Sequence, residues 1–313
     1  MREKKEKTFR TPIVNGLLWI TAVHMAVSAA IFILWRATGD DSRINLFFTY
    51  QGSLFTIACA AAEFLLAWTA LRQFSAGEPL RIAWLLITFA SFYRFAGYFS
   101  SQLLDTESFL NPVYILWGPR SSYFYQTCQN FGLVISGPLS MAVLAVGLFL
   151  ILRVLRRLDI LARLRPLDYL LIIAVAAFTI RQAYEITGAI KATPPPYDLY
   201  KVLGWSSDPL LSILLFEAIL IRRSAIETGW GLLAKSWGAF SLAIFLTLFG
   251  DLGIWVTWHN YLPYPYTSVN WYVWFLASAA FALGPAYQVE ACRHAYHEAA
   301  KISDRPPMPE SIP

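Results

Sequence analysis

The chain has 313 residues, of which 57% are hydrophobic and only 14% charged, with a mean hydropathy of +0.49. Soluble domains carry about 25% charged residues, so this composition excludes an ordinary soluble globular domain. The net charge of +5 is spread as short basic blocks between apolar runs, which assigns it to membrane topology and excludes a nucleic-acid partner.

The first residues, 1–13, form a basic cytoplasmic segment, "MREKKEKTFRTPI". The apolar run that follows, Val14 to Trp35, is longer than the core of a cleaved signal peptide and is expected to stay as a membrane helix. A transmembrane helix needs roughly 20 apolar residues. Segments of that kind fall at about 14–36, 46–74, 80–104, 128–155, 168–190, 208–224, 233–257 and 268–292. The sixth is the shortest apolar stretch, but Asp208 offers an N-cap and Pro209 suits a first helical position. Gly137-Pro138 interrupts the fourth segment and Gly284-Pro285 the eighth.

The basic residues order these spans. With the N-terminus inside, the inner segments hold 18 Lys and Arg and the outer loops 5, while Arg94 and Arg181 lie within helices. The positive-inside bias thus predicts an all-α, polytopic integral membrane helix bundle of about eight transmembrane helices, with both termini cytoplasmic. The domain plan is the basic segment 1–13, an eight-helix domain over 14–299 and a short Pro-rich tail over 300–313. The expected location is a bacterial-type inner membrane. Outer stretches 110–126, 193–207 and 258–268 are rich in aromatic residues and suit a membrane interface.

The ionisable residues inside the spans carry the functional reading. Charge at mid-membrane costs roughly 2.5–3.5 kcal/mol on insertion scales and persists when paired or used. Arg94 and Tyr98 share one face of the third span with Ser91, Gly97 and Ser101. Arg181, Tyr184 and Glu185 share a face of the fifth. Glu217 lies in the sixth span, and Asp251 in the seventh beside Gly250 and Thr247. Counting rise along each helix places Arg94, Arg181 and Glu217 near the midplane, with Glu185 and Asp251 nearer the outer surface and Glu63 on the inner side. The two arginines are therefore expected to pair with Glu217, Glu185 or Asp251, with Arg181 facing the bundle interior. Together Arg94, Tyr98, Arg181, Tyr184, Glu185, Glu217 and Asp251 form the candidate ligand site, opening outward under the aromatic loops.

No catalytic motif is found. "LFGDLG" lacks the first glycine of the intramembrane aspartyl protease motif, and "VISGP" lacks the leading glycine of the rhomboid nucleophile motif. No lysine lies in the apolar middle of a span, which argues against a retinal protein, and His24 is the lone intramembrane histidine, which argues against a paired-histidine haem. His294 and His297 lack the spacing of a catalytic zinc helix. No cofactor or metal is called for, and an enzyme is not the favoured class. The expected partners are the lipid bilayer, a small ligand or ion, and a protein in the membrane. The expected class is a transporter- or sensor-type protein that binds a small ligand or ion. The alternative is a non-catalytic membrane subunit of a larger, quinone- or redox-type complex in which the charges only fix packing.

Overall fold

The computed structural model describes residues 11–38, 43–103, 130–192, 207–258 and 269–303. Expectations about the basic N-terminal residues 1–10, the aromatic loops and the Pro-rich tail beyond 303 fall outside these residues. The described chain is all-helical, without strands. Its helices are α1 (Pro12–Thr38), α2 (Arg43–Leu71), α3 (Pro79–Tyr98, prolonged by a π-helical turn at Phe99–Leu103), α4 (130–157), α5 (Pro166–Ala192), α6 (Ser207–Glu227), α7 (Gly231–Trp258) and α8 (Val269–Ser303). Among them, α1, α2, α3, α4 and α7 supply five stretches long and apolar enough to cross a membrane.

Local chemistry sets several helix ends. Pro79 and Pro166 sit at the starts of α3 and α5, where a missing N–H leaves no bond unmade. At α5 the Asp168 carboxylate reaches back to accept the Arg165 N–H at 2.8 Å, the reciprocal half of a capping box. Asp168 also pairs with Arg223 of α6. Gly229, at φ +77°, makes the left-handed turn that lets α6 reverse into α7.

Packing order follows from which helices touch. α2, α3, α4, α6, α7 and α8 each pack on two others in that sequence, and α8 returns to α2, closing a ring of six. α1 lies outside, in the groove between α2 and α8. α5 touches only α6 among the described residues. The ring is lined by small residues, with Ala67, Ala83, Ala90, Ala218, Ala243 and Ala286 fully buried, while Trp19, Leu65, Leu167, Ile180 and Phe249 point outward. Small residues where helices touch, with large apolar side chains on the outer faces, is the pattern of helices that meet each other but face lipid.

His24 docks α1 on the ring. Its ring stacks on Phe55 of α2 at 3.6 Å and meets Phe275 of α8 edge-on at 4.8 Å. Gln51 Nε2 donates to His24 Nδ1 at 3.0 Å, so the proton is assigned to Nε2, which faces Ser28 Oγ at 3.4 Å. Ser28 Oγ donates onward to Gln51 Oε1 at 3.4 Å, and its backbone carbonyl accepts Tyr272 O–H at 2.8 Å. The start of α1 is held as well, because Glu290 of α8 accepts the Ile13 N–H at 3.0 Å. The intramembrane histidine is thus a packing residue with both nitrogens engaged.

The two Gly-Pro pairs behave differently. At Gly137 the backbone leaves helical geometry (φ −86°, ψ −105°) and α4 widens into a π-helical turn over Ile135–Leu139. Pro285 sits inside α8 without ending it. Beside it, the Gly284 carbonyl accepts the Ser236 hydroxyl of α7 at 2.7 Å. α3 and α4 cross closely at Gly97 and Gly132, each just before the π turn of its own helix. A Cβ on Gly97 would strike the Gly132 carbonyl and Ser136, and one on Gly132 would strike the Gly97 carbonyl and Ser101.

This contact is between backbones, which cannot step aside as a side-chain tip can. Gly97→Leu is therefore expected to destabilise the protein by about 1–3 kcal/mol, the usual range for overpacking. Gly16→Leu, where nothing lies within 4 Å of an added Cβ, serves as the control. Thermal unfolding of both variants in one detergent checks this, and equal midpoints would refute the close crossing.

Candidate functional site

At mid-bundle, Arg94 of α3 and Glu63 of α2 are each 1% exposed, with Arg94 Nε 3.7 Å from Glu63 Oε2. Ser91, one turn before Arg94, donates its hydroxyl to Glu63 Oε1 at 2.9 Å. The Arg94 guanidinium lies over the Phe281 ring of α8, 3.6 Å from its centroid. This stack suits arginine, whose planar and weakly hydrated cation packs against an aromatic face. Three elements of the ring therefore meet at one buried charge pair. Among the described residues the Arg94 nitrogens and Glu63 Oε2 make no hydrogen bond, so there the pair rests on Coulomb attraction and on the Phe281 ring.

Toward the end that holds the short 72–78, 158–165 and 228–230 connections, aromatic rings fill the ring's centre. Phe74 stacks on Trp84 at 6.2 Å, Trp84 meets Trp237 at 6.2 Å, Trp237 stacks on Phe240 at 5.3 Å, and Phe240 meets Phe281 at 6.4 Å. Above Phe281 the filling stops. A cavity of about 550 Å³ occupies the other half of the ring, and every one of the six ring helices lines it. Thr56 comes from α2, Tyr98 from α3, Ser136 from α4, Ser207 from α6, Asp251 from α7 and Trp274 from α8. Phe281 is shared: it lines the cavity on one side and carries Arg94. The widened turn of α4 opens space for this recess, since Ser136 and Gly137 are among its lining residues. Such π turns inside α-helices often occur at functional sites.

Of the seven residues expected at the site, Tyr98 and Asp251 line this cavity, and Arg94 lies directly beneath its Phe281 surface. Glu217 is buried on α6 but does not line it, and its Oε2 makes no hydrogen bond among the described residues. Arg181 and Tyr184 are exposed on α5, outside the ring, with Tyr184 80% exposed. The inward-facing Arg181 expected from helix spacing is thus corrected, because α5 packs only on α6 and offers no enclosed face there. The side chain of Glu185 lies outside the described residues.

The partner of Arg94 is also corrected. Helix rise puts Glu63 on the inner side, outside the expected partners Glu217, Glu185 and Asp251, yet it is Glu63 that meets Arg94. Helical side chains lean toward the N-terminus of their own helix. α2 and α3 run antiparallel through the 72–78 connection, so Glu63 leans up and Arg94 leans down, and the two meet between their Cα levels. Ser91 was a usable signal, since it lies one turn from Arg94 on the leaning side and anchors the carboxylate. The wall residues Thr56, Ser136, Ser207 and Ser278 had no individual signal in the sequence.

No group of three or more His, Cys, Asp or Glu residues able to hold a metal ion occurs among the described residues. The chain matches no family model, no curated protein and no solved structure.

Removing one member of a buried pair strands the other. Arg94→Met is expected to cost about 3–5 kcal/mol, and adding Glu63→Leu should recover most of that loss. The check is a double-mutant cycle on unfolding in detergent. A near-additive cycle, with no recovery in the double variant, would contradict the pairing.

Proposed function

We propose that the chain is a multi-pass membrane protein of transporter or sensor type that binds a small ligand or ion in the cavity above Phe281. The observation that carries this is convergence: six helices, far apart in sequence, each contribute to one recess with polar and aromatic walls. Ligand sites between membrane helices are built this way, largely apolar with a few polar groups to orient the occupant. The proposal takes α1 to α8 as spans in a bacterial-type inner membrane. The short connections at one end carry Arg72, Arg163, Arg165 and the nearby Arg153, Arg156, Arg157, Arg222, Arg223 and Lys235, which supports a cytoplasmic location for that end by the positive-inside rule. The cavity then lies in the outer half of the membrane, and the aromatic column below it separates it from the cytoplasmic side.

One observation favours a second reading. The Arg94–Glu63 pair is sealed beneath Phe281 and does not itself line the cavity. A purely structural pair in a non-catalytic subunit would look the same. A protein partner in the membrane belongs to that reading.

Topology and access test the first reading together. A reporter fused after Pro313 is expected on the cytoplasmic side. Ser278→Cys, placed in the cavity in a chain whose own three cysteines have been replaced, is expected to react with a membrane-impermeant thiol reagent added outside intact cells. A cytoplasmic reaction of Cys at 278, or a reporter at 313 found outside, would reject the proposed arrangement.

A further inference from the structure

The cavity wall has a chemical bias that narrows the ligand. Thr56 Oγ1 donates its proton to the Gly52 carbonyl at 2.9 Å, Ser136 Oγ to the Gly132 carbonyl at 2.7 Å, and Thr247 Oγ1 to the Ala243 carbonyl at 2.9 Å. A hydroxyl has one proton to give. With that proton spent on the helix backbone, each of these three residues keeps only oxygen lone pairs for an occupant. They are acceptors on α2, α4 and α7 around one recess.

The aromatic walls lean the same way. Tyr98, Trp271, Trp274 and Phe281 line the cavity, and Trp271 meets Trp274 edge to face at 5.2 Å. Aromatic rings carry negative faces and attract cations within about 6 Å of the centroid, Trp most strongly. Asp251 adds a carboxylate to the same wall. It takes part in contacts of its own, and its sign still agrees with the rest.

Among the described residues the buried cation beside the cavity is Arg94. Its charge is answered by Glu63 and one face of its plane is covered by Phe281. It therefore does not present a bare positive charge to the cavity. The wall also holds donors, in the Asn130 amide, the Tyr98 and Ser278 hydroxyls and the indole N–H groups of Trp271 and Trp274, but an anion would bring its charge against three acceptor-only hydroxyls, ring faces and a carboxylate. A positively charged nitrogen, or one bearing N–H donors, would find partners on most sides. Leu133, Met141 and Leu211 supply apolar wall for the remainder of such a molecule.

We propose that the cavity takes a small organic cation, an ammonium or quaternary ammonium head on a compact apolar body. This rests on the cavity being a ligand site, and the test separates the two.

The probes are two thiol reagents of similar size and opposite charge, the trimethylammonium-ethyl and sulfonato-ethyl methanethiosulfonates. Each is reacted with purified, monodisperse Ser278→Cys protein in the cysteine-replaced background, and each rate is divided by the same reagent's rate with a free thiol. Thr247→Cys is carried in parallel, so that one poorly folding variant does not decide the result. The cationic reagent is expected to be favoured by on the order of tenfold or more, as a focused field of one sign allows. Benzyltrimethylammonium is expected to slow its reaction, and benzoate is expected to have no effect. A faster anionic reagent, protection by benzoate, or equal rates without protection by the ammonium would overturn the cation assignment while leaving an accessible ligand cavity. Failure of both reagents at both positions would show a closed recess and overturn the ligand-site reading beneath it.

Discussion

A guanidinium and a carboxylate, each 1% exposed, sit in the middle of this bundle, and most of the architecture can be traced to keeping them together. Taking either ion out of water costs several kcal/mol, and only a close opposite charge offsets it. The partner must also come from a particular height, because a side chain of either type has limited reach. Glu63 thereby fixes how α2 lies against α3, and Ser91 holds the carboxylate in place. Phe281 brings in α8 by stacking on Arg94. Apolar packing alone sets such a register weakly, since many small-residue contacts remain possible when one helix slides along another. A charge pair tolerates far less sliding.

From that pair the molecule divides into two halves with different physics. On the side of the short connections, large rings from α3, α7 and α8 fill the centre in an unbroken column from Phe74 to Phe281. On the other side, two π-helical turns and the Gly97–Gly132 crossing hold α3 and α4 in a geometry that regular helices would not give. Ser140 bonds back to the Gly137 carbonyl at 3.1 Å, which steadies the widened turn around Pro138. The cavity is the space left between these features and α6, α7 and α8. It is bounded by irregular backbone on one flank and by Trp271 and Trp274 on another.

Much of the helical layout was legible because hydropathy reports length and apolarity directly, and the helix ranges lie over the apolar runs. The site was legible only in part. Arg94 and Arg181 look alike in sequence: each is one arginine in an apolar stretch, with a tyrosine within a turn. Their fates differ because α3 belongs to the closed ring and α5 does not, and no single-helix pattern records ring membership. The local residues did hold a weaker clue. Arg94 is flanked on its face by Ser91 and Gly97, both buried, whereas Arg181 neighbours Ile180 and Tyr184, both exposed. Asp251 and Tyr98 were found because a charged or phenolic group in a span is conspicuous. Thr56, Ser136 and Ser278 were not, since a lone hydroxyl in a membrane helix usually does no more than bond to its own backbone.

That ordinary back-bonding is what gives the recess its character, and it bears on how the cavity and the buried pair depend on each other. Phe281 is their common wall. In α8 the carbonyl of Phe281 is the one that would accept an N–H from residue 285, and residue 285 is proline, which has none to give. The helix is thus missing a bond at the residue that separates the cavity from Arg94. Movement of Phe281 there breaks no such bond, but it strips the ring from the guanidinium and opens the Arg94–Glu63 pair to whatever fills the recess. The cost of parting the stack opposes that movement. A cation above the ring opposes it as well, because it needs the same ring on the cavity side and would be driven off by an uncovered guanidinium. An anion would do the reverse and draw Arg94 upward. On the proposed cation reading, the sign of an occupant would thus bear on whether this floor stays closed, which ties the proposed charge preference to the Phe281 stack.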